Sequence, residues 1–296
     1  MADPTLELEL DGSCVWSLFT GLELSYLLCG ITCAQTMFYF YNYQNDTRAV
    51  RSLVAVIWLL DTAKVITEVH QSWHYFVFAR GNISALLQAD PFFGGEQLIK
   101  GILIVTVQWY FLQKIHSLLS LKTRYSMITF IIPSVMLLLL SSGSYLWTSY
   151  NCFFSSKSAQ FYGVDIAKDL DAVVFVYAVS LITDTYITCM LCYALQHSRT
   201  GFRSTEHIIM KLFNYILSRG ILLCVISAAL LVIYCLDARY STCYTEILQA
   251  SSATLYANSL LVMLNIRNHV KQHTINEPES LSFLLRVVRT TWCVII

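Results

Sequence analysis

The sequence predicts an all-α fold, a polytopic bundle of seven transmembrane helices with the N-terminus outside and the C-terminus in the cytosol. Three observations predict it. The 296-residue chain is 56% hydrophobic and only 13% charged, about half the ~25% charge usual in soluble domains, so it has too little charge to coat a surface in water. Its apolar residues gather into stretches of about 20 residues or more, the length a helix needs to cross a ~30 Å hydrocarbon core at ~1.5 Å per residue. Basic residues are divided unequally between the connecting segments, as the positive-inside rule expects. Lys plus Arg and Asp plus Glu are 19 each, so no basic face for nucleic acid is expected, and the expected partner is the lipid bilayer.

The seven stretches are Ser17–Tyr41, Val50–Phe78, Gln97–Leu119, Tyr125–Trp147, Asp169–Leu195, Ile208–Leu236 and Glu246–Ile266. None alternates with a period of two, which argues against a transmembrane barrel; backbone in lipid must satisfy its own hydrogen bonds, so these are helices. Residues 1–16 carry Asp3, Glu7, Glu9 and Asp11 with no Lys or Arg, unlike a signal peptide. They read as a short acidic extracellular segment before an anchoring first helix. Tyr39, Tyr41 and Tyr43 stand at its inner end, and Trp16, Trp73 and Trp147 near the outer interface, where amphipathic rings are favoured. The second stretch is the least apolar, and the fourth contains Pro133, expected to kink it. Residues 17–267 form the membrane domain and residues 268–296 a cytosolic tail. In that tail Leu281, Leu284, Leu285, Val288 and Trp292 share one helical face, the pattern of an interfacial helix.

Orientation follows from the loops. One side holds Arg48, Arg51, Lys114, Lys122, Arg124, Arg199, Arg203, Lys211, Arg267, Lys271, Arg286 and Arg289, against Arg80, Lys157 and Arg239 on the other. The richer side is the cytosolic one. Two sequons test this: Asn82-Ile83-Ser84 falls in an outer loop and Asn45-Asp46-Thr47 in an inner one, so only Asn82 is expected to carry a glycan.

Ten cysteines are present. Cys14, Cys152 and Cys243 map to the outer side, where both a Cys152–Cys243 bridge and free thiols fit the spacing. The chain ends Cys293-Val294-Ile295-Ile296, a prenylation pattern at Cys293 whose terminal Ile, by similarity to Leu, would favour geranylgeranyl. A chance Cys in an apolar tail is the alternative.

Ionisable groups in hydrocarbon mark function or tight pairing. The second helix carries Asp61, Lys64 and Glu68 on one face, the fifth Asp184, the sixth Asn214 and Arg219, the seventh Asn258 and Asn265, and the first Glu23. Together they predict a polar interior, read either as a ligand pocket or ion path or as paired groups that set helix register. His70 and His74, four residues apart, are the weak metal candidates, with Glu68, Asp61 or Asp184 as the nearby third ligands. No nucleophile elbow or phosphate loop occurs, so no cofactor is expected.

The chain holds Gly30, Gln35, Tyr39-Phe40, Tyr43 and Asp46, then Trp58-Leu59-Leu60-Asp61, then Val107-Gln108-Trp109-Tyr110-Phe111 with Lys114-Ile115, and finally the run Leu255–Arg267. These resemble a family of fungal, mostly basidiomycete, multi-pass membrane proteins known as domain of unknown function 6534. The likeness covers Leu18 to Arg267, with the last run the most specific; family members usually have Ser where Ala257 stands. The resemblance implies fold and lineage and no reaction. The chain departs from rhodopsin-like receptors at Gln113-Lys114-Ile115-His116, which lacks the acidic–Arg pair, and at Asn258-Ser259, which stands in place of Asn-Pro.

The expected function is a receptor-like sensor, not an enzyme, in the plasma membrane or an endomembrane. It would take a small ligand in its polar pocket and a cytosolic partner at its basic inner loops. The alternatives are a small-molecule or ion transporter or channel, with helix two and Asp184 forming the path, and an intramembrane metal-dependent hydrolase using His70 and His74.

Overall fold

The computed structural model describes residues 4–78, 92–120, 124–154, 166–197, 203–240 and 242–272, with side chains described over 15–77, 92–117, 132–150, 173–194, 217–240 and 242–266. Among the described residues the chain forms seven α-helices: α1 (Pro4–Asn42), α2 (Arg48–Trp73), α3 (Phe93–Ser120), α4 (Arg124–Phe154), α5 (Ile166–His197), α6 (Arg203–Tyr240) and α7 (Thr245–Gln272). A single π-helical turn, His74–Phe78, continues α2. The described residues contain no strand.

Five segments are long and apolar enough to cross a membrane: Val15–Asn42, Phe93–Ser117, Val173–Ala194, Leu217–Tyr240 and Thr245–Ile266. They make the chain an integral membrane protein. In α2 the apolar run is interrupted by Asp61, Lys64 and Glu68, yet all three are fully buried while Val56, Leu59, Ile66, Val69 and Trp73 are exposed. The fourth helix is arranged likewise, with Ser134, Ser141, Ser144 and Ser149 buried and Ile132, Met136, Leu139, Leu146 and Trp147 exposed. Oily outer faces and polar inner ones reverse the arrangement of a protein in water and suit a bundle whose solvent is lipid.

We call the end of the bundle where α1 begins the upper end, and the end bearing the α1–α2 turn the lower end. The seventh helix is the axis of the packing: 72% of its span is buried, against 28% for α6. It packs most extensively on α1 and also on α2, α3 and α6. The remaining large interfaces are α5 on α6 and α3 on α4. Small residues permit the closest approaches. A Cβ on Gly21 of α1 would lie 2.5 Å from the Glu246 carbonyl oxygen of α7, and one on Gly101 of α3 would lie 2.6 Å from Tyr145 Cβ of α4. Within lipid there is no hydrophobic force between helices, so such contacts and interhelical hydrogen bonds hold the bundle.

At the lower end the main core joins α1, α2, α3 and α7 through Tyr39, Ile57, Phe111, Ile115 and Leu264. Tyr39 and Tyr43 stack at 5.1 Å between centroids; Tyr39 donates to Asp46 Oδ2 at 2.7 Å and Tyr43 donates to the Asn265 carbonyl oxygen. At the upper end Asp237 of α6 closes the α6–α7 turn. It accepts from Thr242 Oγ1 at 2.5 Å, and from the Thr245 amide and Thr245 Oγ1 at 2.6 Å each, capping the otherwise unpaired first N–H groups of α7.

Candidate functional site

Two buried polar clusters occupy the interior. The first is built on the inner face of α2, where spacings of three and four align Asp61, Lys64 and Glu68. Lys64 makes two hydrogen bonds and one ion pair. It donates to Ser25 Oγ of α1 at 2.7 Å and to Thr254 Oγ1 of α7 at 2.8 Å, and pairs with Glu68 Oε1 at 3.0 Å. The hydroxyls pass the interaction on: Ser25 donates to Glu68 Oε2 at 2.7 Å and Thr254 donates to Asp61 Oδ1 at 2.8 Å. One cation thus sits between two carboxylates, tying α1, α2 and α7. Asp61 Oδ2 is buried without a hydrogen-bond partner.

Toward the upper end the polarity continues onto α3. Gln71 Nε2 donates to Glu96 Oε2, and Glu96 pairs with Lys100 one turn on. Lys100 is buried and lines a cavity of about 50 Å³ together with Gln97, Tyr145, Tyr177, Gln249 and Tyr256. Tyr177 donates to Gln249 Oε1 at 2.6 Å, fastening α5 to α7 across it.

The second cluster centres on Asp184 of α5. Its Oδ2 accepts from Tyr256 of α7 and from Ser227 Oγ of α6 at 2.9 Å, and its Oδ1 accepts from Gln108 Nε2 of α3 at 3.4 Å. Ser141 of α4 donates to Gln108 Oε1 at 3.1 Å. One carboxylate therefore gathers α3, α4, α5, α6 and α7. Below it lies a second cavity, about 20 Å³, lined by Asp184, Gln108, Arg219, Phe111, Thr188 and Tyr256. Arg219 lies with its guanidinium carbon 3.4 Å from the Phe111 ring centroid, a cation–π geometry, and its buried Nε has no hydrogen-bond partner.

Ser227 and Tyr256 border the upper cavity, and Tyr256 and Asp184 the lower one. The Asp184 cluster is therefore a partition between two small chambers. Each has room for water, which needs roughly 10–15 Å³ of such space, but both fall far below the ~300 Å³ of a small-molecule pocket.

The residues expected to form one pocket are thus divided. Asp61, Lys64 and Glu68 meet each other; Asp184 and Arg219 meet at the lower cavity, nearer the lower end. Asn258 joins neither. Its Nδ2 donates to the Leu28 carbonyl at 3.0 Å and its Oδ1 accepts from Thr32 at 3.1 Å, so it fastens α7 to α1. Asn265 does the same one level down, donating to the Gln35 carbonyl at 3.0 Å. Glu23 is exposed on α1 and is not an interior group. Asn214 lies in α6, and its side chain lies outside the described residues, as do Asn82 and Cys293 entirely.

His70 is exposed and packs on Phe92 at 4.1 Å between ring centroids, while Glu68 and Asp61 point inward, so the two carboxylates do not converge with it. Among the described residues no three His, Cys, Asp or Glu side chains form a group fit to hold a metal ion. Cys243 is disulfide-bonded; Cys152 lies in α4 with its side chain outside the described residues. Hydropathy and spacing did not single out Ser25, Thr254, Glu96, Ser227 or Tyr256, because a hydroxyl or a helix-end carboxylate is unremarkable until its partner on another helix is known. Gln108 and Tyr256 enter the sequence reading only through the motifs that carry the family resemblance.

Residues 180–269 match the family of unknown function (DUF6534). The matched stretch runs from mid-α5 to the end of α7 and carries Asp184, Arg219, Ser227 and Tyr256, while the α2 triad lies outside it. No curated protein and no solved structure matches the chain.

Proposed function

We propose that the chain is a seven-helix receptor-like sensor, with all seven helices crossing the bilayer, the upper end outside and the lower end in the cytosol. The exposed apolar faces of α2 and α4 support counting them as spans. The bonded state of Cys243 supports an outer upper end, because disulfides persist in oxidising compartments. The observation that carries the sensor reading is Asp184, whose hydrogen bonds draw together helices that reach from the upper cavity to the lower end. A small polar ligand in the upper chamber would act on Tyr145, Tyr177, Gln249 and Tyr256, and through Tyr256 on the partition. The chamber measures only about 50 Å³, so a ligand larger than a few waters fits only as α5 and α6 shift, and that shift is the signal offered to a cytosolic partner.

A thermal-stability screen of small polar molecules in lipid nanodiscs tests this. A ligand should raise the wild-type Tm, lose that effect in Gln249→Ala or Tyr177→Phe, and alter amide exchange at the lower ends of α5 and α6. A ligand that stabilises but leaves the lower end unchanged would sink the sensor reading.

One specific observation favours a second reading, a path for protons or small ions: two water-sized chambers stand on either side of a buried carboxylate. Proteoliposomes loaded with a pH-sensitive dye decide between them. Flux that Asp184→Asn abolishes supports the path; absence of flux together with ligand-dependent exchange supports the sensor.

A further inference from the structure

We propose that Cys243 is bonded to Cys14, so that the N-terminal part of α1 is clasped covalently to the α6–α7 turn, in place of the Cys152–Cys243 bridge that spacing alone allows. Cys243 is disulfide-bonded, and Cys29, Cys33, Cys189, Cys192, Cys224 and Cys235 are free. Of the ten cysteines, Cys14, Cys152 and Cys293 are left as partners.

Topology separates these three. Cys243 stands immediately before α7, whose first turn is in contact with α1: a Cβ on Gly21 would lie 2.5 Å from the Glu246 carbonyl oxygen and 3.1 Å from Ile247 Cα. Helix α1 is continuous from Pro4 to Asn42. Cys14 therefore stands three, four and seven residues before Ser17, Leu18 and Gly21, at a register position on their face. Ser17 and Leu18 are buried, so this is the face turned into the bundle. The levels agree as well. Seven residues of helix raise Cys14 about 10 Å above Gly21; Cys243 opens the turn that the Glu246 amide closes on its carbonyl at 3.2 Å, which keeps it within about 7 Å of Glu246 and leaves a gap to Cys14 that a disulfide can span.

Cys152 is placed differently. It belongs to α4, which packs on α3 and α5 and forms no comparable interface with α1, α6 or α7 among the described residues, whereas a disulfide needs Cα atoms within about 7 Å. Cys293 follows α7, whose 28 residues carry the chain about 40 Å to the opposite end of the bundle.

Bond formation removes two electrons and two protons from the thiols of Cys14 and Cys243. The acceptor is the disulfide of a protein oxidoreductase, reduced to a dithiol by exchange. The clasp stands above the α6–α7 turn that Asp237 closes, next to Glu246 and within two turns of Gln249 of the upper chamber. It does not depend on the sensor reading and survives that reading's failure.

Peptide mapping tests it. The full chain, made in a eukaryotic secretory membrane, is alkylated with N-ethylmaleimide before solubilisation, digested without reductant and analysed by mass spectrometry. The expected product is a linked pair of peptides containing Cys14 and Cys243. A Cys152–Cys243 pair, or Cys14 recovered alkylated, overturns the proposal. As a second measurement, Cys14→Ser should expose Cys243 to alkylation, whereas Cys152→Ser should leave it protected; the reverse pattern overturns the proposal. Should Cys14→Ser fail to fold, the map of the unaltered chain decides.

Discussion

Lys64 Nζ lies 3.0 Å from Glu68 Oε1 one helical turn away, and both side chains are completely buried. A charge in hydrocarbon is tolerated only when paired, so removing one partner leaves the other stranded. Lys64→Met should destabilise the bundle by about 3–5 kcal/mol, the cost of breaking a buried pair. The double variant Lys64→Met/Glu68→Leu should recover part of that loss. Unfolding in nanodiscs across the double-mutant cycle measures it, with a coupling of about 1–3 kcal/mol expected; additive losses would show that the pair is not a unit.

The Asp184 cluster makes a different demand. Tyr256→Phe removes a donor to the carboxylate while keeping the ring, and should cost about 1.5–3 kcal/mol, the range for hydrogen bonds to charged groups. Asp184→Leu, which removes the acceptor, should cost at least as much and should make Tyr256→Phe nearly neutral when combined with it. Thermal unfolding of the two single variants and the pair checks this, and full additivity would mean that the hydroxyl and the carboxylate act apart.

How much of this was legible in the sequence depends on the kind of signal. Hydropathy located seven helical stretches because the run of apolar residues is the property a bilayer selects. It placed Asp61, Lys64 and Glu68 on one face because they share a helix, where spacing of three and four is geometry. Asp184 and Arg219 stood out by charge alone. Their surroundings did not, because Ser227, Gln108 and Tyr256 come from three further helices and become partners only when the bundle closes. Asn258 is ambiguous for the opposite reason. A polar residue within a span reads as a site residue until its amide is seen on the Leu28 carbonyl.

Close helix approach can be tested at glycines. Gly101→Ala would bring a methyl 2.6 Å from Tyr145 Cβ, an atom fixed to the backbone of α4, whereas a Cβ on Gly30 meets nothing within 4 Å. Gly101→Ala should therefore destabilise by about 1–3 kcal/mol through overpacking. Gly30→Ala should stabilise α1 by about 0.4–1 kcal/mol, since the chain loses less entropy on folding. Parallel thermal melts decide it, and equal shifts at the two positions would refute the α3–α4 contact.

Orientation is tested at the two sequons. Asn45 lies exposed in the lower turn between α1 and α2, at the end to which the basic loops belong, while Asn82 lies between α2 and α3. With the lower end in the cytosol, the chain made in eukaryotic microsomes should carry a glycan removable by peptide-N-glycosidase. Asn82→Gln should abolish the mobility shift and Asn45→Gln should leave it intact. If Asn45→Gln alone abolished the shift, the lower end would face the lumen. Cys243, at the upper end, would then have to keep its disulfide on the reducing side of the membrane, where thiols are held reduced.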